Sequence, residues 1–180
     1  MVRAFTRLAY TSSVRAVQSR QGAREHNERV AGRPPERADL PDEMQARLRR
    51  ANSIIVGTAS LEGWPHLQHR GGPRGFIKVL DPRHLAFADY SGNRQYITIG
   101  NLAENDRMLL LLIDYAARTR LKIWGRATVL ENDPVALEVA RDPDYPARVE
   151  RVIRIAVEAW DTNCNSHIPH LLPADGDTSG

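Results

Sequence analysis

Apolar residues alternate with polar ones, or form short blocks, along most of the chain between residues 53 and 160. Alternation with a period of two is typical of a strand that buries one face, and short blocks rich in Val, Ile and Leu are typical of buried strands. Gly, Pro, Asn and Asp, which favour turns, separate these runs. The pattern predicts six or seven strands, within residues 53–60, 66–70, 76–80, 84–89, 108–113, 120–130 and 151–160.

Helical patterns are few and lie before or between the predicted strands. We predict helices over residues 13–30, 42–51 and 134–141, and a loop that opens into a short helix within residues 93–105. Residues 1–12 are predicted to form an extended arm, and the prolines of residues 32–41 predict a connection. The predicted division is an N-terminal arm and helix over 1–41, a β domain over 42–160 and a C-terminal tail over 161–180.

The order of these elements predicts a mainly β protein with a few peripheral helices. The chain shows no alternation of strands with long helices, so a parallel sheet is not expected. An antiparallel barrel, closed or partly closed, is the natural result, because closure removes exposed strand edges. Gly125, in the middle of a long predicted strand, indicates a bulge or a close backbone contact at that point.

The basic residues of the chain indicate contacts with anions but not binding of nucleic acid. Lys78 and Lys122 are the only lysines among 25 basic residues, and the net charge is +3. Arginine favours bidentate contacts with phosphate or carboxylate, although most single arginines are simply solvated. The arginines near the N-terminus are not interleaved with aromatic residues, so no nucleic acid is expected. With one cysteine and no membrane-length apolar run, we expect a cytoplasmic protein.

The turn at residues 91–95 is the first candidate binding site. A predicted strand ends there, a glycine turn follows, and a helix then begins. The Ser91 hydroxyl, the Asn93 amide, the Arg94 guanidinium and backbone N–H groups could all donate to one phosphate. An ordinary turn with a solvated arginine is the alternative.

A second candidate lies at Arg70-Gly71-Gly72-Pro73. The glycines allow a ligand to lie against the backbone while Arg70 contacts an anion. The run does not match the GxGxxG fingerprint and no βαβ unit surrounds it, so a Rossmann site is excluded. A glycine-rich connection between strands is an equally good interpretation.

The tail contains Cys164, His167 and His170, which are residue types that bind zinc. The spacing is not a usual zinc pattern and no fourth ligand is evident, so we expect no metal. A catalytic Cys–His pair also lacks an orienting residue. The tail either folds over a partner's site or only packs against its own barrel, and no residue stands out as catalytic.

Four segments resemble the FMN-binding split-barrel family that is related to pyridoxamine 5′-phosphate oxidase. Their order and spacing agree with that family over about residues 50–130, and NCNSHIP (163–169) resembles the tail of one branch of uncharacterised members. The segments are HLQHRGGPRGFIKVLD (66–81), LAFADYSGNRQYITIGNLAEND (85–106), LLLLIDY (109–115) and RLKIWGRATVL (120–130).

The resemblance implies a homodimeric, antiparallel Greek-key split barrel with FMN at the subunit interface. Residues along the flavin ring or ribityl chain would be Gln68, Arg70 and Gly71, with Asp89 and Tyr90 beside the ring. The phosphate would be held by Ser91, Asn93, Arg94 and Gln95. Trp124 and Arg126 would reach the site from the partner subunit. The oxidase itself usually has Ser-Arg-Lys at the phosphate turn, and the missing lysine weakens any transfer of pyridoxamine-phosphate chemistry.

The expected function is therefore that of an FMN-dependent oxidoreductase whose substrate is unknown. In such a protein the flavin carries the redox chemistry, and the chain contributes binding and orientation. Two alternatives stay open. One is a non-catalytic flavin- or haem-type module, such as a redox sensor or stress protein, and the other is a reductase that uses a deazaflavin.

Overall fold

The computed structural model describes residues 4–31, 38–163 and 166–171. Four helices precede the first strand. They are α1 (Ala4–Ala9), α2 (Ser12–Arg20), α3 (Arg24–Ala31) and α4 (Asp42–Arg50). Every helix of the described residues is too short or too polar to cross a membrane.

Seven strands form one sheet in which all neighbouring strands run antiparallel. The strands are β1 (Ser53–Ala59), β2 (Pro65–Gly71), β3 (Lys78–Asp81), β4 (His84–Tyr90), β5 (Arg107–Asp114), β6 (Thr119–Leu130) and β7 (Val149–Asn163). Helix α5 (Ile97–Glu104) connects β4 to β5, and α6 (Pro134–Ala140) connects β6 to β7. The predicted mainly β class is confirmed.

The hydrogen-bonded order of the sheet is β2-β1-β5-β6-β7-β4-β3. Strands β5, β6 and β7 follow one another in the chain and in space, whereas β4 lies beside β7 rather than beside β5. The chain therefore crosses from β4 to β5 through α5, which makes these four strands a Greek key. The Greek-key expectation is confirmed.

One hydrophobic core joins strands from both ends of this order. Ile54 of β1 and Phe87 of β4 belong to the same buried cluster, although three strands separate β1 from β4. The sheet must therefore curl around this core, as a split barrel does. Met44 and Leu48 of α4, which are four residues apart on one helix face, are buried in the same cluster.

The predictions for the N-terminal region were partly wrong. Residues 4–9 form α1 instead of an extended arm, because Ala4 and Thr6 are buried and α1 packs against β7. The helix predicted over residues 13–30 is two helices, and Gly22 separates them with a φ of +67°. Residues 1–3 and 32–37 lie outside the described residues, and the division of the chain into 1–41, 42–160 and 161–180 stays a prediction.

Two strand boundaries also differ from the prediction for physical reasons. Strand β3 begins at Lys78 because the Phe76 N–H donates to the Pro73 carbonyl at 3.0 Å and so forms a turn. Phe76 and Ile77 are still buried in the core. Strand β7 is longer than predicted because it pairs with β4 along its first half and with β6 along nearly all of its length.

The close contact predicted at Gly125 is confirmed. The register between β6 and β7 shifts between Trp124 and Gly125, as at a β-bulge. A Cβ atom on Gly125 would lie 2.6 Å from the carbonyl oxygen of Ala156 and 2.6 Å from a methyl of Ile155. Only glycine fits between these neighbours without movement of β7.

Gly125→Ala is expected to destabilise the protein by about 1–3 kcal/mol, because the added methyl overpacks the β6–β7 contact. Urea unfolding monitored by tryptophan fluorescence measures the change. Gly100→Ala is the matched control, since a Cβ there meets nothing within 4 Å in helix α5, and it is expected to stabilise by about 0.5–1 kcal/mol. Equal stability of Gly125→Ala and the wild type would contradict the predicted overpacking.

Candidate functional site

A cleft of about 190 Å³ opens where β2, the end of β4, residues 92–96 and the first turn of α5 meet. Six of the predicted site residues line it together: Gln68, Arg70, Asp89, Tyr90, Asn93 and Arg94. The other lining residues are Gly92, Tyr96, Thr98, Ile99 and Glu150. The two glycine turns identified in the sequence thus border one cleft, although β2 and β4 are far apart in the sheet order.

Strand β2 supplies one wall of the cleft, because exposed and less exposed side chains alternate along it. His66, Gln68 and Arg70 are the less exposed residues of this strand, and Leu67 and His69 face outward. The Gln68 Oε1 accepts from the Thr98 hydroxyl at 3.3 Å, which ties β2 to α5. His69 has an ordinary contact of 2.8 Å between its Nε2 and the Ser53 Oγ, on the side away from the cleft.

The Asp89 carboxylate lies between two arginines at the inner end of the cleft. Arg70 Nη1 donates to Asp89 Oδ1 at 2.5 Å, and Arg151 Nη1 donates to Asp89 Oδ2 at 3.0 Å. Asp89 is only 4% exposed, so its charge is nearly removed from water and depends on these two partners. Arg70 belongs to β2 and Asp89 to β4, so this ion pair connects the two sides of the split sheet.

Arg151 is the member of this buried ion pair that the sequence interpretation missed. It pairs directly with Asp89 in the β4–β7 register and has a side chain that is only 12% exposed. Burial lowers the pKa of Arg151, but Asp89 and Glu150 raise this pKa by more, so the guanidinium stays charged. The sequence carried a signal, because Arg151 lies in phase with Ile153 and Ile155 on the inward face of β7.

The loop between β4 and α5 has a strained backbone. Arg94 has a φ of +60° and Tyr96 a φ of +52°, in the left-handed region that non-glycine residues rarely adopt. Asn93 supports the loop from within, since its Oδ1 accepts from the Gln95 N–H at 3.2 Å. Ser91 is held by its N–H, which donates to the Arg148 carbonyl at 2.9 Å. Strain of this kind clusters at ligand-binding sites.

Several donors in and beside this cleft have no partner among the described residues. No carboxylate there pairs with Arg94, and the Nε atom of Arg70 is buried without an acceptor. Tyr96 is the N-cap residue of helix α5 and its side chain makes no capping hydrogen bond, so the first N–H groups of the helix are not used by that side chain. The arrangement can therefore bind an anion near Arg94 and a further acceptor near Arg70.

Tyr90 lies at the border of the cleft, but its ring belongs to a second apolar cluster. The ring packs against Ala86, Ala88 and Val152 and meets Tyr145 edge-on at 5.1 Å. Its hydroxyl is buried with no hydrogen-bond partner among the described residues. Burial raises the pKa of Tyr90, and Asp142 and Tyr145 add to the increase.

The remaining predicted residues lie near the cleft or elsewhere. Ser91 and Gln95 are exposed in the loop but do not line the cleft, and Gly71 ends β2 beside it. Trp124 and Arg126 line a different cleft of about 730 Å³ on the outer side of β1, β2, β5 and β6. The sequence interpretation did not assign Tyr96, Thr98, Ile99 and Glu150, which do line the first cleft.

Trp124 and Arg126 both have contacts within their own chain. Helix α1 covers Trp124 with the Phe5 ring, whose centroid lies 5.9 Å from that of the indole. Arg126 donates to Asp106 at 2.8 Å and to Glu158 at 2.7 Å, and these carboxylates raise its pKa. Within one chain, Arg126 is thus already paired, and its contribution to a partner's site stays a prediction.

The described part of the tail packs against its own barrel. Ile168 is buried, and its carbonyl accepts from Arg118 Nε at 3.0 Å. His167 and His170 are exposed, and Cys164 lies outside the described residues. No group of three or more His, Cys, Asp or Glu side chains in residues 4–31, 38–163 and 166–171 is placed to hold a metal ion. A role of the tail at a partner's site stays a prediction.

The family model described as pyridoxamine 5′-phosphate oxidase matches residues 40–164, which is more than half of the chain. The match contains every strand and both turns of the cleft. No curated protein sequence matches the chain.

Solved structures show the same fold. A candidate pyridoxamine 5′-phosphate oxidase from Lactobacillus delbrueckii has 25% identity and a TM-score of 0.53, and the alignment covers 70% of this chain and 96% of that one. A HupZ variant from Group A Streptococcus has 19% identity and a TM-score of 0.54, with coverage of 69% and 99%. A protein from Clostridium acetobutylicum related to general stress protein 26 has 15% identity and a TM-score of 0.50, with coverage of 72% and 89%.

Asp89→Asn is expected to destabilise the protein by about 3–5 kcal/mol, because it leaves two buried guanidinium groups without their shared anion. Urea unfolding at neutral pH measures this change. The matched control is Asp81→Asn, which breaks an exposed contact with His84 and is expected to cost less than about 1 kcal/mol. Similar losses in the two variants would show that Asp89 has no special role in the fold.

Proposed function

The chain belongs to the pyridoxamine 5′-phosphate oxidase family, and on that premise we propose that it is a flavoprotein that binds FMN. The observation that carries the proposal is the cleft itself. It combines a strained loop with Arg94, a cation that has no carboxylate partner in the described part of the chain. On the opposite wall, Arg70 Nε is a buried donor that has no acceptor there either. These donors fit a ligand with an anionic end and a polar body.

The phosphate end of FMN would lie at the loop between β4 and α5. Arg94 would contribute the charge, and Ser91, Asn93 and Gln95 would contribute polar groups around it. The first N–H groups of α5 would add donors whose partial positive charge favours an anion. This assignment would explain the left-handed backbone of Arg94. The strained conformation places the Arg94 side chain at the cleft, where it would contact the phosphate.

The flavin ring and ribityl chain would lie along the β2 wall. Arg70 Nε and the Gln68 amide nitrogen have no partner among the described residues, so both can donate to ring or ribityl oxygens. Gly71 would follow Arg70 at the end of β2, beside the ligand. Asp89 would act by holding Arg70 in place, and Tyr90 would close the border of the cleft.

FMN, when bound, would supply transfer of hydride or electrons between two substrates. The described residues that line the cleft include no histidine and no cysteine, so this chain offers few groups for acid–base or nucleophilic catalysis there. Its residues would bind the cofactor, orient it and hold its phosphate. We therefore propose an FMN-dependent oxidoreductase in which the protein supplies binding and electrostatics.

A homodimer is part of the proposal. A cleft of about 190 Å³ is smaller than the roughly 300–1,000 Å³ of complete cofactor sites, so a second subunit would supply the missing walls. The outer face beside β2 exposes Leu61, Trp64 and Leu67, each more than two-thirds exposed, which is unusual for a free surface. The same face contains Trp124 and Arg126, which would complete the partner's site.

Arg94→Ala is expected to weaken FMN binding by tenfold or more, because removal of a charge-assisted hydrogen bond costs about 1.5–3 kcal/mol. Flavin fluorescence during titration of the purified protein measures the dissociation constant. Arg20→Ala, which removes an exposed arginine of α2 outside the cleft, is the control and is expected to bind like the wild type. Unchanged affinity in Arg94→Ala would place the phosphate elsewhere.

The same preparation tests the cofactor and the activity. We expect a yellow protein with about one FMN per subunit and turnover with a reduced nicotinamide and an acceptor. A colourless protein that takes up no added FMN would overturn the proposal. An absorption spectrum of a deazaflavin in the extracted cofactor would favour the deazaflavin alternative, and tight flavin without turnover would favour a binding module.

Leu67→Asp is expected to convert the dimer to a monomer and to weaken FMN binding, because it places a charge in the proposed apolar contact. Analytical ultracentrifugation measures the mass. Val135→Asp is the control, since Val135 of α6 is as exposed as Leu67 but lies outside both clefts. If the wild type sediments as a monomer that binds FMN, the dimer proposal is wrong and the FMN proposal stands.

A further inference from the structure

Arg151 contacts three carboxylates that come from three different parts of the sheet. Its Nη1 donates to Asp89 at the end of β4, and its Nη2 donates to Glu150 of β7 at 3.1 Å. Its Nε lies 3.2 Å from Glu131, the residue that follows β6. The Nε atom makes no hydrogen bond at this distance, so the two hydrogen bonds donated by Nη1 and Nη2 orient the guanidinium.

This guanidinium lies over the ring of Tyr96. The central carbon of the Arg151 guanidinium is 5.1 Å from the centroid of the Tyr96 ring, which is the geometry of a cation–π interaction. The Arg151 side chain is largely removed from water, which strengthens such an interaction. Tyr96 is itself 42% exposed.

Tyr96 needs such a contact because of its backbone. It has the left-handed φ of +52° and is the N-cap residue of α5, yet its side chain makes no capping hydrogen bond. A non-glycine residue keeps this conformation only where its surroundings hold it. The Tyr96 carbonyl accepts the N–H of Gly100 at 2.9 Å, so the position of Tyr96 determines where α5 begins.

We propose that Arg151 is a positioning residue that holds Tyr96, and through it the first turn of α5, in the shape that receives the cofactor phosphate. Arg151 does not line the cleft and does not touch the ligand in this proposal. The inference rests on the proposed FMN function for its last step only. Its first step, the control of the start of α5, is a property of the flavin-free protein.

Hydrogen exchange of the flavin-free protein tests the first step. The Gly100 amide is expected to exchange roughly two- to thirtyfold faster in Arg151→Met and in Tyr96→Leu, which is the factor expected for loss of a cation–π contact. Tyr96→Phe, which keeps the ring, and Arg154→Met, on the exposed face of β7, are expected to exchange like the wild type. The Leu110 amide in the core strand β5 reports global stability and is expected to stay slow.

FMN titration of the same variants tests the second step. Arg151→Met and Tyr96→Leu are each expected to weaken FMN binding by roughly two- to thirtyfold. The variant with both substitutions is expected to bind FMN with about the affinity of whichever single variant binds it less tightly, because Arg151 acts through Tyr96. Arg154→Met, which changes an exposed residue outside the cleft, is expected to retain the affinity of the wild type.

The results separate this inference from the FMN proposal. Unchanged Gly100 exchange in Arg151→Met, or additive losses of affinity in the double variant, would overturn the inference. If the wild type binds no FMN while Gly100 exchange responds as expected, the positioning of α5 is supported and the FMN proposal fails. If Arg151→Met does not fold, Tyr96→Leu gives the test by itself with the same expectations, since it removes the ring but leaves the ion pair between Arg151 and Asp89 in place.

Discussion

The buried carboxylate of Asp89 between Arg70 and Arg151 is the interaction on which the rest of this structure depends. A carboxylate removed from water is costly unless charged donors surround it, and here one donor comes from each side. Arg70 comes from β2 and Arg151 from β7. Because the Asp89 carboxylate needs both arginines, it holds these separate parts of the sheet together. The apolar core curls the sheet, and the ion pairs determine how its two sides meet.

The same ion pairs determine which cations are available to a ligand. Arg70 and Arg151 are committed to Asp89, whereas Arg94 has no anion among the described residues. The strained loop presents Arg94 at the cleft, and the guanidinium of Arg151 lies against Tyr96 at the other end of that loop. Among the described residues that line the cleft, Arg94 is thus the arginine without a carboxylate partner, which suits a ligand with one strongly anionic end.

The sequence predicted most strands and the mainly β class, because strand periodicity and glycine turns are local signals, and the family resemblance implied that both glycine turns contact one cofactor. It missed α1 because that short helix depends on packing against β7, which is a long-range contact. Arg151 was missed although its phase in β7 indicated an inward side chain, since its partners are brought to it only by the Greek-key crossing. The places of Trp124 and Arg126 in the proposed site depend on a second subunit, and no pattern in one chain specifies that geometry.

Strand β2 is the proposed wall for the flavin ring and is also an end strand of the sheet. Among the described residues it pairs with β1 alone, whereas β6 and β7 each have two neighbours. Local opening costs less at such an edge than in the core, because fewer hydrogen bonds and apolar contacts are broken. A ligand that contacts both Arg70 and Arg94 would connect this edge to the opposite side of the barrel. A bound ligand would therefore slow the local opening of β2 more than that of any other strand. Release of a bound cofactor would then require opening of this one edge of the sheet and would not require opening of the core.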